Sequence, residues 1–109
     1  KYRHYSPKAK VVLVYGEIQK MIDQFSRSIK DDECIFMFSE YIDKIPENSF
    51  DIGKKEDLNE MARLIFSLLK KADKMNFNTV YIPAVEETGV GLSVMNRLKK
   101  ASGGAVWNL

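Results

Sequence analysis

Residues 79–101, TVYIPAVEETGVGLSVMNRLKKA, constrain the fold more than any other stretch. A β-branched and aromatic run, Val80 to Pro83, gives way to a loop carrying Glu86, Glu87, Gly89 and Gly91. Leu92, Met95 and Leu98 then recur at the spacing of one helix face. An apolar run, glycines and a 3.6-residue period in that order describe a strand, loop and helix of an α/β domain. The rest of the chain is expected to build a sheet around this unit.

Residues 11–15, VVLVY, are a continuous apolar run ending at Gly16, which predicts a first and central strand buried on both faces. Ile18, Met21, Ile22, Phe25 and Ile29 follow at helical spacing, so residues 17–30 read as a helix packed on the sheet. Residues 34–38, CIFMF, read as a second buried strand. Residues 41–48, with Pro46 inside them and no sustained period, read as a loop. Residues 49–52 read as a short third strand. Residues 56–75 carry the longest helical period, with Asp57 and Glu60 spaced like a capping box. Residues 105–109 are expected to trail off, with Trp107 docked at a place the sequence leaves open.

Strands alternating with helices imply βαβ units joined by right-handed crossovers. The expected architecture is a three-layer α/β domain, residues 11–109, with a mainly parallel sheet of about four to five strands, preceded by an arm, residues 1–10. A strand order such as 3-2-1-4 would place a ligand crevice outside the carboxyl ends of the first and fourth strands. Gly16, Glu17, Glu86, Gly89 and Gly91 are the candidates to line it.

At 109 residues, 45% hydrophobic and 29% charged, the chain has the composition of one globular domain with a modest core. A net charge of +2 gives no reason to expect nucleic acid or a membrane surface as partner. The one cysteine, Cys34, rules out an internal disulfide and is compatible with a reducing compartment, here the cytoplasm. No apolar run reaches the roughly 20 residues that cross a bilayer. The first residue is Lys1 rather than methionine, which suggests a segment of a longer polypeptide.

Gly89-Val90-Gly91 at the start of a helix could present free backbone N–H groups to a phosphate. Against this, Val94 stands at the third glycine position of the dinucleotide fingerprint, and Glu86 and Glu87 would repel an anion. A structural helix start is the better reading. The two glutamates lack a third ligand for a metal, and a solvated loop explains them. His4 is the one histidine, so no two-histidine metal site is available, and no metal is expected. Cys34 lies in an apolar run and reads as a buried, inert thiol. No catalytic set stands out, so any chemistry is expected elsewhere.

The arm differs in character. KYRHYSP contains no aliphatic residue, and Lys1, Arg3, Lys8 and Lys10 all precede the first acid, Glu17. Arg3 can make bidentate bonds to phosphate or carboxylate, Lys1 is a mobile point charge, and Tyr2, His4 and Tyr5 can stack or donate. Such a strip suits an anionic ligand, although composition alone favours a solvated tail.

KYRHYSPKA resembles the interdomain linker of the long-form threonylcarbamoyl-AMP synthase family, YrdC/YwlC-related enzymes whose catalytic domain is joined to a Rossmann-like C-terminal domain. VVLVYG, IFSLLKKAD and GVGLSVMNRLKKA extend the resemblance over nearly the whole chain. It implies a parent enzyme that condenses L-threonine, bicarbonate and ATP into threonylcarbamoyl-adenylate and pyrophosphate, toward the threonylcarbamoyl modification of adenosine 37 in tRNA. ATP and Mg2+ would sit in the YrdC-like catalytic domain of the same polypeptide, with no cofactor in this chain and no direct contact with nucleic acid. Lys1, Tyr2, Arg3, His4 and Tyr5 would close over that cleft, and Asn96 and Arg97 would fix a helix end or the domain interface. Two other readings stay open: a stand-alone nucleotide- or effector-binding module, and a structural interaction domain.

Overall fold

The computed structural model describes residues 6–109. The strands are β1 (Lys10–Tyr15), β2 (Glu33–Met37), β3 (Ser49–Asp51), β4 (Thr79–Pro83) and β5 (Val106–Asn108). The helices are α1 (Ile18–Ser28), α2 (Leu58–Lys74) and α3 (Val90–Ser102), with a 3-10 turn at Ser39–Lys44. All strand pairs are parallel, and the sheet order is β3-β2-β4-β1-β5. The three-layer α/β, Rossmann-like expectation holds.

The order corrects the 3-2-1-4 expectation: β4, not β1, is the central strand, with Val80 beside both Val11 and Cys34. Connections from β1 to β2 and β3 run toward one edge of the sheet, and those through α2 and α3 run back toward the other. Right-handed crossovers then place α1 on one face and α2 and α3 together on the opposite one. Sequence periodicity fixes neither the direction of a crossover nor which strands become neighbours, and that is why the order was not legible.

Packing follows from the apolar runs. Val11, Leu13, Val14, Ile35, Phe36, Val80 and Ile82 are almost completely buried between the helix layers. From α1, Met21 and Phe25 enter the core, while Met61, Ile65 and Leu69 do so from α2. Each such side chain contributes about 1.5–3 kcal/mol by leaving water. On α3 the buried stripe runs through Gly91, Val94, Met95 and Leu98. Leu92, expected on that face, is 43% exposed, because the stripe is set by contact with β1 and α2 rather than by the first apolar residue.

Two short elements also depart from expectation. Residues after Phe38 form the 3-10 turn, Tyr41 N–H donating to the Phe38 carbonyl at 2.9 Å, and six residues are too few to show a period. The chain end, expected to trail off, forms β5 beside β1. Trp107 docks there against Phe25 and Tyr81, with ring centroids 6.0 and 5.4 Å away. Asp57 does cap α2, its carboxylate accepting from Glu60 N–H at 3.1 Å.

Candidate functional site

A parallel sheet has two unlike edges, and the candidate residues divide between them. At the carboxyl edge, β1 ends in Tyr15 and turns at Gly16 into α1, and β4 ends in Pro83 and continues through Ala84 and Val85 to Glu86. Connections from these neighbouring strands leave in opposite directions, which opens a crevice between them. Its volume is about 610 Å³. Ile18, Met21, Phe38 and Leu58 supply apolar walls, and Glu17, Glu56, Glu86 and Lys55 supply the charge. All four of these charged residues are exposed.

The structure brings Gly16, Glu17 and Glu86 together here as expected, but Gly89 and Gly91 are not among the lining residues. Gly91 is buried, and a Cβ there would collide with the Glu86 carbonyl oxygen, so the close approach requires glycine. Gly89 is the N-cap of α3 with φ of 53°, a backbone that suits glycine. Both glycines therefore serve the helix start. Glu86 and Glu87 do not act as a pair either: Glu87 turns away to Lys99, 2.9 Å distant. Lys55 and Glu56 were missed because they sit in a polar run ahead of α2 that looks like any solvated helix leader.

The amino edge is knit by short polar bonds. Asn78, just ahead of β4, donates its backbone N–H to the Asp32 carbonyl at 2.8 Å and its side-chain amide to the Asp32 carboxylate at 2.5 Å. Tyr81 donates its hydroxyl to Glu33 at 3.2 Å. Burial first, and then the Glu33 charge, push that phenol up to about 12. Burial likewise pushes the Cys34 thiol up to about 12, in keeping with the inert thiol expected.

The arm meets the domain at this same edge. Lys8 and Ala9 N–H groups donate to the two carboxylate oxygens of Asp73, at 2.9 and 3.0 Å, and Lys10 N–H donates to the Asn78 carbonyl at 2.8 Å. Asp73 is the residue that sequence reasoning missed. Its signal was an acid in the last turn of a helix, where the helix dipole disfavours negative charge. Lys1, Tyr2, Arg3, His4 and Tyr5 lie outside the described residues.

Asn96 and Arg97 are exposed on α3, and the Arg97 guanidinium stacks over the Phe66 ring of α2 at 3.9 Å. Arg97 thus ties two helices of this domain together. Among the described residues, no group of three or more His, Cys, Asp or Glu side chains could hold a metal, and no helix is long and apolar enough to cross a membrane.

A family model described as the C-terminal domain of threonylcarbamoyl-AMP synthase matches residues 1–103. The threonylcarbamoyl-AMP synthase of Pyrococcus abyssi is 33% identical over 110 residues, a match covering 94% of this chain and 31% of that enzyme. The chain therefore spans about a third of that relative's length. A crystal structure of P. abyssi Sua5 complexed with L-threonine superposes with a TM-score of 0.75 at 30% identity, covering 100% of this chain and 32% of that one. The C-terminal Sua5 domain of Pyrococcus horikoshii matches at a TM-score of 0.69 and 27% identity, over 95% of this chain and 100% of that one.

Proposed function

Because this chain belongs to the threonylcarbamoyl-AMP synthase C-terminal domain family, we propose that it is the accessory domain of a polypeptide that condenses L-threonine, bicarbonate and ATP. The products are threonylcarbamoyl-adenylate, pyrophosphate and water, and the adenylate serves threonylcarbamoylation of adenosine 37 in tRNA in the cytoplasm. An N-terminal YrdC-like catalytic domain of the same polypeptide holds ATP, Mg2+, threonine and bicarbonate. This domain carries the arm, in which Lys1, Tyr2, Arg3, His4 and Tyr5 close over the catalytic cleft.

The observation that carries this reading is the family match over residues 1–103, which takes in the arm as well as the α/β body. A carboxylated threonine and an adenylate both react with water, so an arm that covers them limits their loss. Arg3 and Lys1 supply positive charge toward phosphate or carboxylate. The crevice is a poor place for ATP within this domain, since Glu17, Glu56 and Glu86 face one lysine, Lys55.

Steady-state kinetics of adenylate formation by the polypeptide carrying both domains test the reading. Arg3→Ala is expected to lower kcat/KM about tenfold or more, the worth of a hydrogen bond to a charged group. Unchanged kinetics would remove the arm from the reaction.

A further inference from the structure

We propose that Asp73 is the positioning residue of the arm, clamping its root so that the α/β body decides where the arm acts. This deepens the reading above and rests on it. Asp73 is 8% exposed, the one charged residue among the buried set of the described residues. Burying a carboxylate is costly unless it is well bonded, and the last turn of a helix is electrostatically the wrong end for an acid. Lys71 and Lys74 in the same turn are the ordinary choice there. The acid is explained by what it holds.

One carboxylate oxygen accepts from Lys8 N–H at 2.9 Å and the other from Ala9 N–H at 3.0 Å. Lys10 N–H then donates to Asn78, so three successive backbone amides of the arm's root are bound to the α2–β4 corner. The corner is itself fixed: Asn76, at φ of 64°, donates its N–H to the Asp73 carbonyl, and Phe77 N–H donates to Ala72. Pro7 lies one residue outside the clamp, with its φ locked by the ring and no N–H to lose. Because the bonds are to backbone, the clamp holds the direction of the chain whatever side chains the arm presents, and Lys8 and Lys10 stay exposed.

A tethered strip works at its target in proportion to the fraction of time it is aimed there. Two amides held against a buried carboxylate fix the backbone direction of the root at Lys8 and Ala9. The body thus contributes to catalysis without touching a substrate.

The test uses the polypeptide carrying both domains, with Asp73→Ala, Arg3→Ala and the double variant. Amide hydrogen exchange at Lys8 and Ala9 is expected to speed about tenfold or more in Asp73→Ala while Val80 and Ile82 keep their protection. The effect on kcat/KM should follow Arg3: Asp73→Ala lowers it severalfold alone and adds little in the Arg3→Ala background. A purely structural Asp73 would give independent, multiplying losses, and that result overturns the proposal. Unchanged exchange at Lys8 and Ala9 overturns the clamp itself. If Asp73→Ala is silent while Arg3→Ala is not, positioning fails and the arm's role stands; if both are silent, the reading of the arm fails with it. Should Asp73→Ala not fold, Asp73→Asn, which keeps shape and one acceptor oxygen, is expected to show the same coupling at smaller amplitude.

Discussion

At the amino edge of the sheet, Lys8 and Ala9 are tied to Asp73, Lys10 to Asn78, and Asn78 to Asp32, all by bonds of 3.0 Å or less. At the carboxyl edge, Glu17, Lys55, Glu56 and Glu86 stand in solvent around an open space of about 610 Å³. Ligands of doubly wound folds sit at the carboxyl edge. In this chain the carboxyl edge is bonded through exposed side chains such as Ser39 and Asp51, and the one buried carboxylate among the described residues, Asp73, is at the other edge. Polar bonds that must be buried and satisfied are kept where a position has to be held, and here that position is the root of the arm.

The largest effect expected concerns Cys34, one residue in from the amino edge. Its thiol titrates near 12 rather than 9, so at pH 8 the thiolate is about a thousandfold scarcer than in an unfolded chain. Native protein should react with a thiol reagent that much more slowly than protein in denaturant. A folded value raised by burial also means stability that is complete below about pH 9 and is lost as pH climbs through 9 toward 12. Rapid labelling at pH 8 would show an amino edge that opens easily, and the contrast between the edges would be lost.

Gly91→Ala comes next. Its Cβ would lie 2.0 Å from a backbone oxygen, which cannot swing aside as a side chain can. Overpacking of this kind costs about 3 kcal/mol, or a fall in Tm of more than about 10 °C in a domain of this size. Gly89→Ala meets nothing within 4 Å and bears only its strained backbone, φ 53° with ψ −128°, at about 1–3 kcal/mol. Thermal denaturation of the two variants checks the assignment of both glycines to helix packing, and a larger loss at Gly89 would reverse it.

Asn78→Ala removes the side-chain bonds to the Asp32 carboxylate and the Thr79 hydroxyl while leaving the backbone bonds of the same residue. The site is exposed, so about 0.5–1.5 kcal/mol is expected, seen as a Tm lower by a few degrees. A negligible change would mean that Asn78 holds the amino edge through its backbone bonds alone.

How much of this was legible follows from which interactions are local. VVLVY and CIFMF announce buried strands because burial on both faces leaves no alternation to confuse, and Asp57 announces α2 because a cap acts within three residues. Val106–Asn108 gave no such signal: three residues pair with β1 only because the crossover delivers them there, and Trp107 finds Phe25 across the fold. Asp73 was hidden for the same reason, its partners Lys8 and Ala9 lying more than sixty positions away. At the crevice, Gly16, Glu17 and Glu86 were found from strand ends alone, whereas Gly89 and Gly91 were drawn in by a motif whose glycines serve packing.

The smallest effect is expected at the crevice itself. Glu86 is exposed, and among the described residues no hydrogen bond or ion pair holds its side chain, so Glu86→Gln should alter stability by no more than about 0.5 kcal/mol. The same substitution bears on ligand chemistry. With three carboxylates against Lys55, the crevice repels a triphosphate, and calorimetric titration of this chain with ATP should give no saturable heat. Removing one carboxylate relaxes that repulsion only in part, so Glu86→Gln should also remain without saturation. Saturable binding to the unaltered chain, weakened by Lys55→Ala, would make the carboxyl edge a nucleotide site. The domain would then work at both of its edges, and a polypeptide with the arm disabled would still respond to ATP through the crevice.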